Sequence, residues 1–322
     1  MKGAQRTMTH QSHPGEAAGQ TDSSKKLLRL RLPDDLTGKR VLDIGCNEGF
    51  FCNEAVRRGA ANVVGIDNDL NYLNDAKRRY SAENISFLNQ SWASLPEGPF
   101  DIVLWTSAMH YELDPAEVLG RIAKILAPGG VLILECGVYQ TSGKEMLYTV
   151  RHDGGLWYPS IQFLETSLSD AGLTHRIVSH AETTGADPVP RVVFHCSLRL
   201  PTVMLVRGVT KIGKSNLAAL LRNDATKIVA LDYFIARIGR AKWQHNDLQK
   251  LIHRLLDGRD LRATYLGIDE AGLTDTYASL LAKGIAATDR LVVIEGFMTD
   301  AQAERLTFHL KGRAVVWDVA QR

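Results

Sequence analysis

Cysteine is scarce in this chain of 322 residues: there are four, Cys46, Cys52, Cys136 and Cys196, and no two of them form a C-x-x-C pair. That scatter speaks against a disulfide framework and a structural zinc site, and it suits reduced thiols in a cytoplasmic protein. Charge imbalance is lacking as well. Lys plus Arg is 38 and Asp plus Glu is 36, a formal charge of +2. A concentrated basic face is the electrostatic footprint of a nucleic-acid partner, and this balance argues against one. No apolar run reaches the roughly 20 residues that a membrane-spanning helix needs. The segment up to Ser24 has no apolar stretch of the kind found in a secretory signal. Rich in Gly, Ser, Thr, Gln and His, residues 1–25 read as a disordered tail. What is present is an ordinary globular composition, 45% hydrophobic and 23% charged. The length accommodates about two domains.

Beyond Lys39, short apolar runs alternate with helical stretches. Strands are expected at Arg40–Ile44, Asn62–Ile66, Ile85–Leu88, Phe100–Trp105 and Val131–Glu135, with amphipathic helices such as Phe50–Arg58 and Pro115–Leu126 between them. Alternation of this kind builds a parallel sheet covered on both faces. Two further strands, His175–His180 and Val192–Leu198, suit an antiparallel hairpin at one edge. The series then restarts with strands at Thr202–Arg207, Lys227–Leu231, Leu291–Glu295 and Arg313–Val319. The expectation is two doubly wound α/β domains, residues 26–200 and 201–322.

The first domain opens with VLDIGCNEGFF, a strand running into a Gly-rich turn and a helix. Glycine at the strand end lets the backbone turn sharply and approach a ligand. The next strand ends at Asp67, placed to accept hydrogen bonds from a ribose diol or to cap the following helix. A nicotinamide cofactor would fit such a turn as well. Taken together, VLDIGCNEGFF, GIDND, FDIVLW and LAPGGVLILECG resemble the class I S-adenosylmethionine-dependent methyltransferases over residues 36–200, with Asn47 standing where that family often has Gly. The resemblance implies that Asp43 and Gly45, with Cys46, Asn47 and Gly49, face the methionine end of S-adenosyl-L-methionine. It implies that Asp67, with Asn68 beside it, binds the ribose, and that Ser91 and Trp92 fall near the adenine. For Trp92 core packing is the other reading.

Substrates bind at the carboxyl ends of parallel strands. The loop after the fourth strand offers His110 as a general base, with Tyr111 beside it; a surface or capping histidine is the alternative. His152–Pro159, with Trp157 and Tyr158, reads as an acceptor-binding loop or as a plain packed one. Arg191 is placed to hold an anion.

The second domain carries GVTKIGKS, a full match to G-x-x-x-x-G-K-[ST] between a strand and a helix. In that motif Gly208, Thr210, Lys211 and Gly213 supply the loop, Lys214 reaches the β/γ-phosphates of ATP, and Ser215 ligates Mg²⁺. The domain resembles P-loop small-molecule kinases such as uridine kinase. That likeness implies Asp232 as base, Glu295 on Mg²⁺ or on substrate, and Arg237 as an anion clamp; an exposed helix face is the other reading for Arg237. The lid and fifth strand of such kinases are expected to be absent unless Gly239–Arg262 substitutes. The resulting expectation is a bifunctional methyltransferase–kinase, similar in logic to those that terminate bacterial polysaccharide chains. It would methylate an oxygen of a glycan or small molecule and phosphorylate a hydroxyl. The alternatives are a regulatory nucleotide-binding second domain and an RNA methyltransferase.

Overall fold

The computed structural model describes residues 11–12, 22–141, 143–151, 154–181, 189–208, 213–241, 246–256, 260–286 and 289–321. It divides into two units, Met1–Leu198 and Arg199–Arg322. Among the described residues no helix is long and apolar enough to cross a membrane.

In the first unit a helix α1 (Ser23–Leu30) precedes β1 (Arg40–Ile44), α2 (Phe50–Arg57), β2 (Asn62–Asp67), α3 (Leu70–Arg79), β3 (Ile85–Asn89) and β4 (Phe100–Thr106). Then come α4 (Pro115–Ile125), β5 (Leu126–Gly137), β6 (Met146–Arg151), β7 (Gly154–Pro159), α5 (Ile161–Asp170), β8 (Leu173–Ala181) and β9 (Arg191–Leu198). The sheet order is β3-β2-β1-β4-β5-β9-β8, parallel from β3 to β5 and antiparallel at β9 and β8. The central strands are apolar on both faces; Val41, Leu42, Ile44, Val103, Leu104 and Trp105 are fully buried. A strand covered on both sides has no face to leave polar. The two cores lie on opposite faces, one around Trp105 and Phe194, the other around Phe51, Leu73 and Ile133.

Two sequence expectations need correction here. His152–Pro159 is not a loop along its length. Its residues 154–159 are β7, paired antiparallel with β6, Tyr148 opposite Trp157; His152 and Asp153 lie outside the described residues. Gly and Pro dominated the local signal, but Leu156, Trp157 and Tyr158 are strand formers whose cross-strand partners lie several residues away. The expected tail is also packed in part. Gln11 is buried, its N–H donating to Glu48 Oε2 (2.8 Å) while its Oε1 accepts from Phe50 N (3.1 Å). α1 begins at Ser23, with Asp22 capping it through Lys25 N.

The second unit comprises β10 (Thr202–Gly208), α6 (Lys214–Leu220), β11 (Thr226–Ala230), α7 (Leu231–Gly239), α8 (Asp247–Leu256), α9 (Leu261–Glu270), α10 (Thr274–Lys283), β12 (Leu291–Gly296), α11 (Asp300–Leu310) and β13 (Val315–Gln321). Its four strands run parallel in the order β11-β12-β10-β13. Between α7 and the end of α10 lies a cavity of about 230 Å³ lined in part by Phe234, Arg237, Leu281 and Ile285.

Candidate functional site

The turn after β1 is built from left-handed residues: Gly45 at φ 75°, Asn47 at φ 54° and Gly49 at φ 81°. Left-handed backbone is inexpensive for glycine and tolerable for asparagine. A Cβ at Gly45 would stand in ordinary van der Waals contact with Ala108 Cβ, at 3.5 Å, so it is the left-handed backbone, not crowding, that calls for glycine here. At Gly49 a Cβ would come within 2.9 Å of the Phe87 ring, which explains why the helix entry carries glycine. Asp67 locks the turn. Its Oδ2 accepts from Asn47 N and its Oδ1 from Asp69 N, both at 2.9 Å. The helix cap of α3 is Asp69, not Asp67, so the capping alternative for Asp67 falls away. Asn68 is exposed beside it. Gln90 N donates to Asp67 O (3.0 Å), which brings the Ser91 turn next to the same strand end. Trp92 is half-buried: its indole N–H donates to Glu112 Oε2 (2.5 Å) and its ring tilts against Trp105 at 6.4 Å.

Behind the turn, Asp43 is buried and accepts from the Cys52 thiol at 3.5 Å. Burial raises its pKa to about 7, with Asp67 adding to the rise and the Cys52 contact and Lys26 opposing it. Cys46 is buried in the turn itself.

At the carboxyl end of β4, Ser107 adopts φ 54°. Its hydroxyl donates to Glu135 Oε2 (2.9 Å) and accepts from Lys26 Nζ (2.9 Å) and Arg191 (3.0 Å). Glu135 also pairs with Lys26 at 3.4 Å and with Arg191 at 3.3 Å. Burial pushes the Glu135 carboxyl up, but Lys26, Arg191 and Ser107 outweigh it and hold the pKa down at about 2. Burial likewise pulls the Lys26 ammonium below the ordinary lysine range, against Glu135. Arg191, expected to hold a substrate anion, is paired here with the buried carboxylate of Glu135. Sequence reasoning missed Lys26, Ser107 and Glu135 as a group, because they come from three separate segments. A Glu near the end of an apolar strand, in LILECG, was the available signal.

His110 lies in a short 3-10 turn, Met109–Tyr111, and is buried rather than on the surface. Its ring stacks on Tyr158 at 5.6 Å and 28°, and Tyr111, largely exposed, leans on it at 4.4 Å. Tyr158, expected among the substrate contacts, is fully buried beneath this stack. Successive residues of a strand point to opposite faces. Trp157 accordingly turns outward and pairs with Tyr148 at 5.1 Å.

In the second unit, Thr210 and Lys211 lie outside the described residues. Gly208 ends β10, and Gly213, at φ 87°, has nothing within 4 Å of where a Cβ would stand. Ser215 Oγ donates to Glu295 Oε2 at 2.8 Å, bringing the end of the motif to the acid of β12. Asp232 is not at a strand end; it lies in the first turn of α7, where a carboxylate is favoured by the helix dipole. Its pKa is raised by burial and by Glu295, with Lys214 opposing, so the three groups share one electrostatic neighbourhood. Arg237 lines the cavity beside α7. Among the described residues no cluster of three or more His, Cys, Asp or Glu could hold a metal by itself.

Residues 35–165 match a family model described as a methyltransferase domain. A tRNA U34 carboxymethyltransferase of Ectopseudomonas mendocina is 31% identical over 163 residues, 48% of this chain and 50% of that protein. A ubiquinone biosynthesis O-methyltransferase of Neisseria meningitidis is 34% identical over 104 residues, 30% of this chain and 44% of that protein. The chain thus spans about half the length of the curated relatives it matches. Among solved structures, an S-adenosylmethionine dependent methyltransferase from Mesorhizobium loti superposes with TM-score 0.45 at 19% identity, over 55% of this chain and 99% of that one. The N-terminal domain of EvdMO1, crystallised with SAH and D-fucose present, gives TM-score 0.48 at 17% identity over 60% and 92%. On the family match and the sheet order, residues 35–165 are a class I S-adenosylmethionine-dependent methyltransferase domain.

Proposed function

We propose that the protein transfers a methyl group from S-adenosyl-L-methionine to an oxygen of a glycan or other small-molecule acceptor. The observation that carries this is the clamp of Asp67 on Asn47 N, which holds the left-handed turn of Gly45, Asn47 and Gly49 at the end of β1. The residues suit the cofactor: Asp67 for the ribose diol, the Gly45–Gly49 turn for close backbone approach, and Asp43 for the cationic methionine end. The cofactor supplies an activated methyl group on a sulfonium. The protein orients the acceptor oxygen and removes its proton. His110, held by the Tyr158 stack at the carboxyl edge, is the base in this reading, with Tyr111 at the mouth. The test is a thermal shift. Adenosylhomocysteine, but not NAD, should raise the melting temperature, because a ligand that binds only the native state stabilises it. Asp67→Ala should abolish the shift. A shift with NAD alone would overturn the reading.

For the second unit the reading is ATP and Mg²⁺ binding with phosphorylation of a hydroxyl. The contact of Ser215 with Glu295 and the proximity of Asp232 and Lys214 favour it. Lys214 and the motif backbone would hold the phosphates, Ser215 and Glu295 the metal with its waters, and Asp232 the acceptor hydroxyl. Measured ATP binding without turnover over a panel of hydroxyl acceptors would make it a regulatory module instead. The name of the tRNA-modifying relative favours one other acceptor, RNA. Strong, salt-dependent RNA affinity would establish that.

A further inference from the structure

The cavity of about 230 Å³ in the second unit stands apart from the P-loop: none of Gly213, Lys214, Ser215, Asp232 and Glu295 lines it. Four consecutive residues of β11, Lys227 to Ala230, run along one side, and β11 is an edge strand of its sheet. α7 follows β11 directly and contributes Tyr233, Phe234 and Arg237. Leu281 of α10, Ile285 just beyond that helix and Ile294 of β12 complete an apolar wall. These three are buried, and with Phe234 they belong to the main apolar core of the unit. The Phe234 ring is set edge-on against Tyr277 at 6.2 Å, so the wall is made of fixed side chains. The two cations of the lining differ in their use. Lys227 Nζ donates to Gly284 O (2.7 Å) and to Asp289 Oδ2 (3.0 Å), which meets its charge and ties the start of β11 to the end of α10. Arg237 is exposed at the mouth and has no ion pair or hydrogen bond among the described residues. The lining contains no Cys, His, Ser, Thr, Asp or Glu, so it is built to hold a ligand rather than to transform one.

Apolar cavities take ligands by size and shape. One of about 150 Å³ walled by Leu, Ile and Phe binds benzene. The present cavity has the same kind of wall and about half as much room again, enough for a ring and a short side arm. The guanidinium at its mouth gives that arm a sign, because its planar fork suits a carboxylate through two parallel hydrogen bonds. We propose that the cavity binds a small organic anion made of one apolar ring and a short carboxylate arm. The ring lies among Phe234, Leu281, Ile285 and Ile294, and the carboxylate meets Arg237. Arg237 then serves an anion at a place of its own, about 7.5 Å along α7 from Asp232, rather than clamping the phosphoryl acceptor. The inference holds whether or not the second unit binds ATP.

Calorimetry on the full chain tests this with three probes. Phenylacetate has both parts, 2-phenylethanol keeps the ring without the charge, and acetate keeps the charge without the ring. Phenylacetate should bind with a Kd on the order of a millimolar or tighter, 2-phenylethanol about tenfold more weakly, and acetate without saturation. Arg237→Gln should bring phenylacetate down to the level of 2-phenylethanol and leave the latter within about twofold. Ile285→Phe fills the cavity and should abolish binding of both ring compounds. Leu281→Phe is the second filling variant, should the first fail to fold. Phenylacetate that does not bind the wild-type chain, or binds no more tightly than acetate, overturns the proposal. So does an Arg237→Gln protein that still prefers phenylacetate to 2-phenylethanol as the wild type does. Binding that survives a folded filling variant puts the ligand elsewhere and overturns it as well.

Discussion

Burial of the Asp43 carboxylate lifts its pKa from 3.8 to about 7, whereas the cations around Glu135 lower that carboxyl from 4.5 to about 2. The two act on stability with opposite signs. Asp43 holds its proton in the native state and loses it in the unfolded chain once pH exceeds 3.8. Its contribution is therefore complete below that pH and is lost as pH rises through 7. Glu135 contributes fully above pH 4.5, and its contribution is lost as pH falls through 2. At about 1.4 kcal/mol per unit, raising pH from 5 to 7 should cost the first unit roughly 2–3 kcal/mol through Asp43, a fall on the order of 5 °C in melting temperature. Asp43→Asn should flatten that decline; a melting curve series in which both proteins fall in parallel would refute it. If Asp43 receives the cationic end of the cofactor, binding favours its ionised form. Affinity for adenosylhomocysteine should then rise with pH up to about 7 and level off above, as calorimetry across that range would show. Legibility at this scale was mixed. Asp43 and Asp67 stand at fixed offsets from Gly45 and could be read directly. The burial of His110 and Tyr158 could not, since their stack joins the loop after β4 to a hairpin nearly 50 residues further along.

Strands were the most legible elements because apolar runs between turn signals demand burial on both faces. Each expected strand of the parallel sheet is present, most extended by a residue or more and β5 beginning early, at Leu126. Gly129 and Gly130 lie inside that early stretch, where the pairing with β4 shifts register, rather than in a plain turn. The β6–β7 hairpin escaped notice for the opposite reason: its sequence is short, Gly- and Pro-flanked, and justified only by its cross-strand pairs. α7 starts one residue before Asp232, so the carboxylate sits on a helix rather than at a strand end. At the α2 entry the prediction is sharp. Gly49→Ala places a side chain at φ 81° and drives a methyl into Phe87. The variant should lose about 1–3 kcal/mol, measured by urea denaturation, and should bind adenosylhomocysteine more weakly. Unchanged stability would mean that the turn relaxes without cost.

Over the whole chain, each unit has its own sheet and its own apolar cores, so ligand effects should be separable. Adenosylhomocysteine should slow hydrogen exchange around Asp43–Asp67 and the Met109–Tyr111 turn. ATP with Mg²⁺ should slow it around Gly213–Ser215 and α7, and Lys214→Ala should remove only the second effect. Protection by ATP confined to the first unit would refute the division of labour. The sequence by itself determined the two α/β series, the Gly-rich turn with its two acids, and the P-loop motif, because those are written in local periodicity and fixed spacing. The packing of Gln11 and α1 onto the fold, and the meeting of Lys26, Ser107, Glu135 and Arg191, depend on tertiary contacts alone. The scarcity of net charge conceals this grouping. A near-zero sum counts charges without their positions, and buried ion groups are assembled by the fold from segments that no local pattern connects.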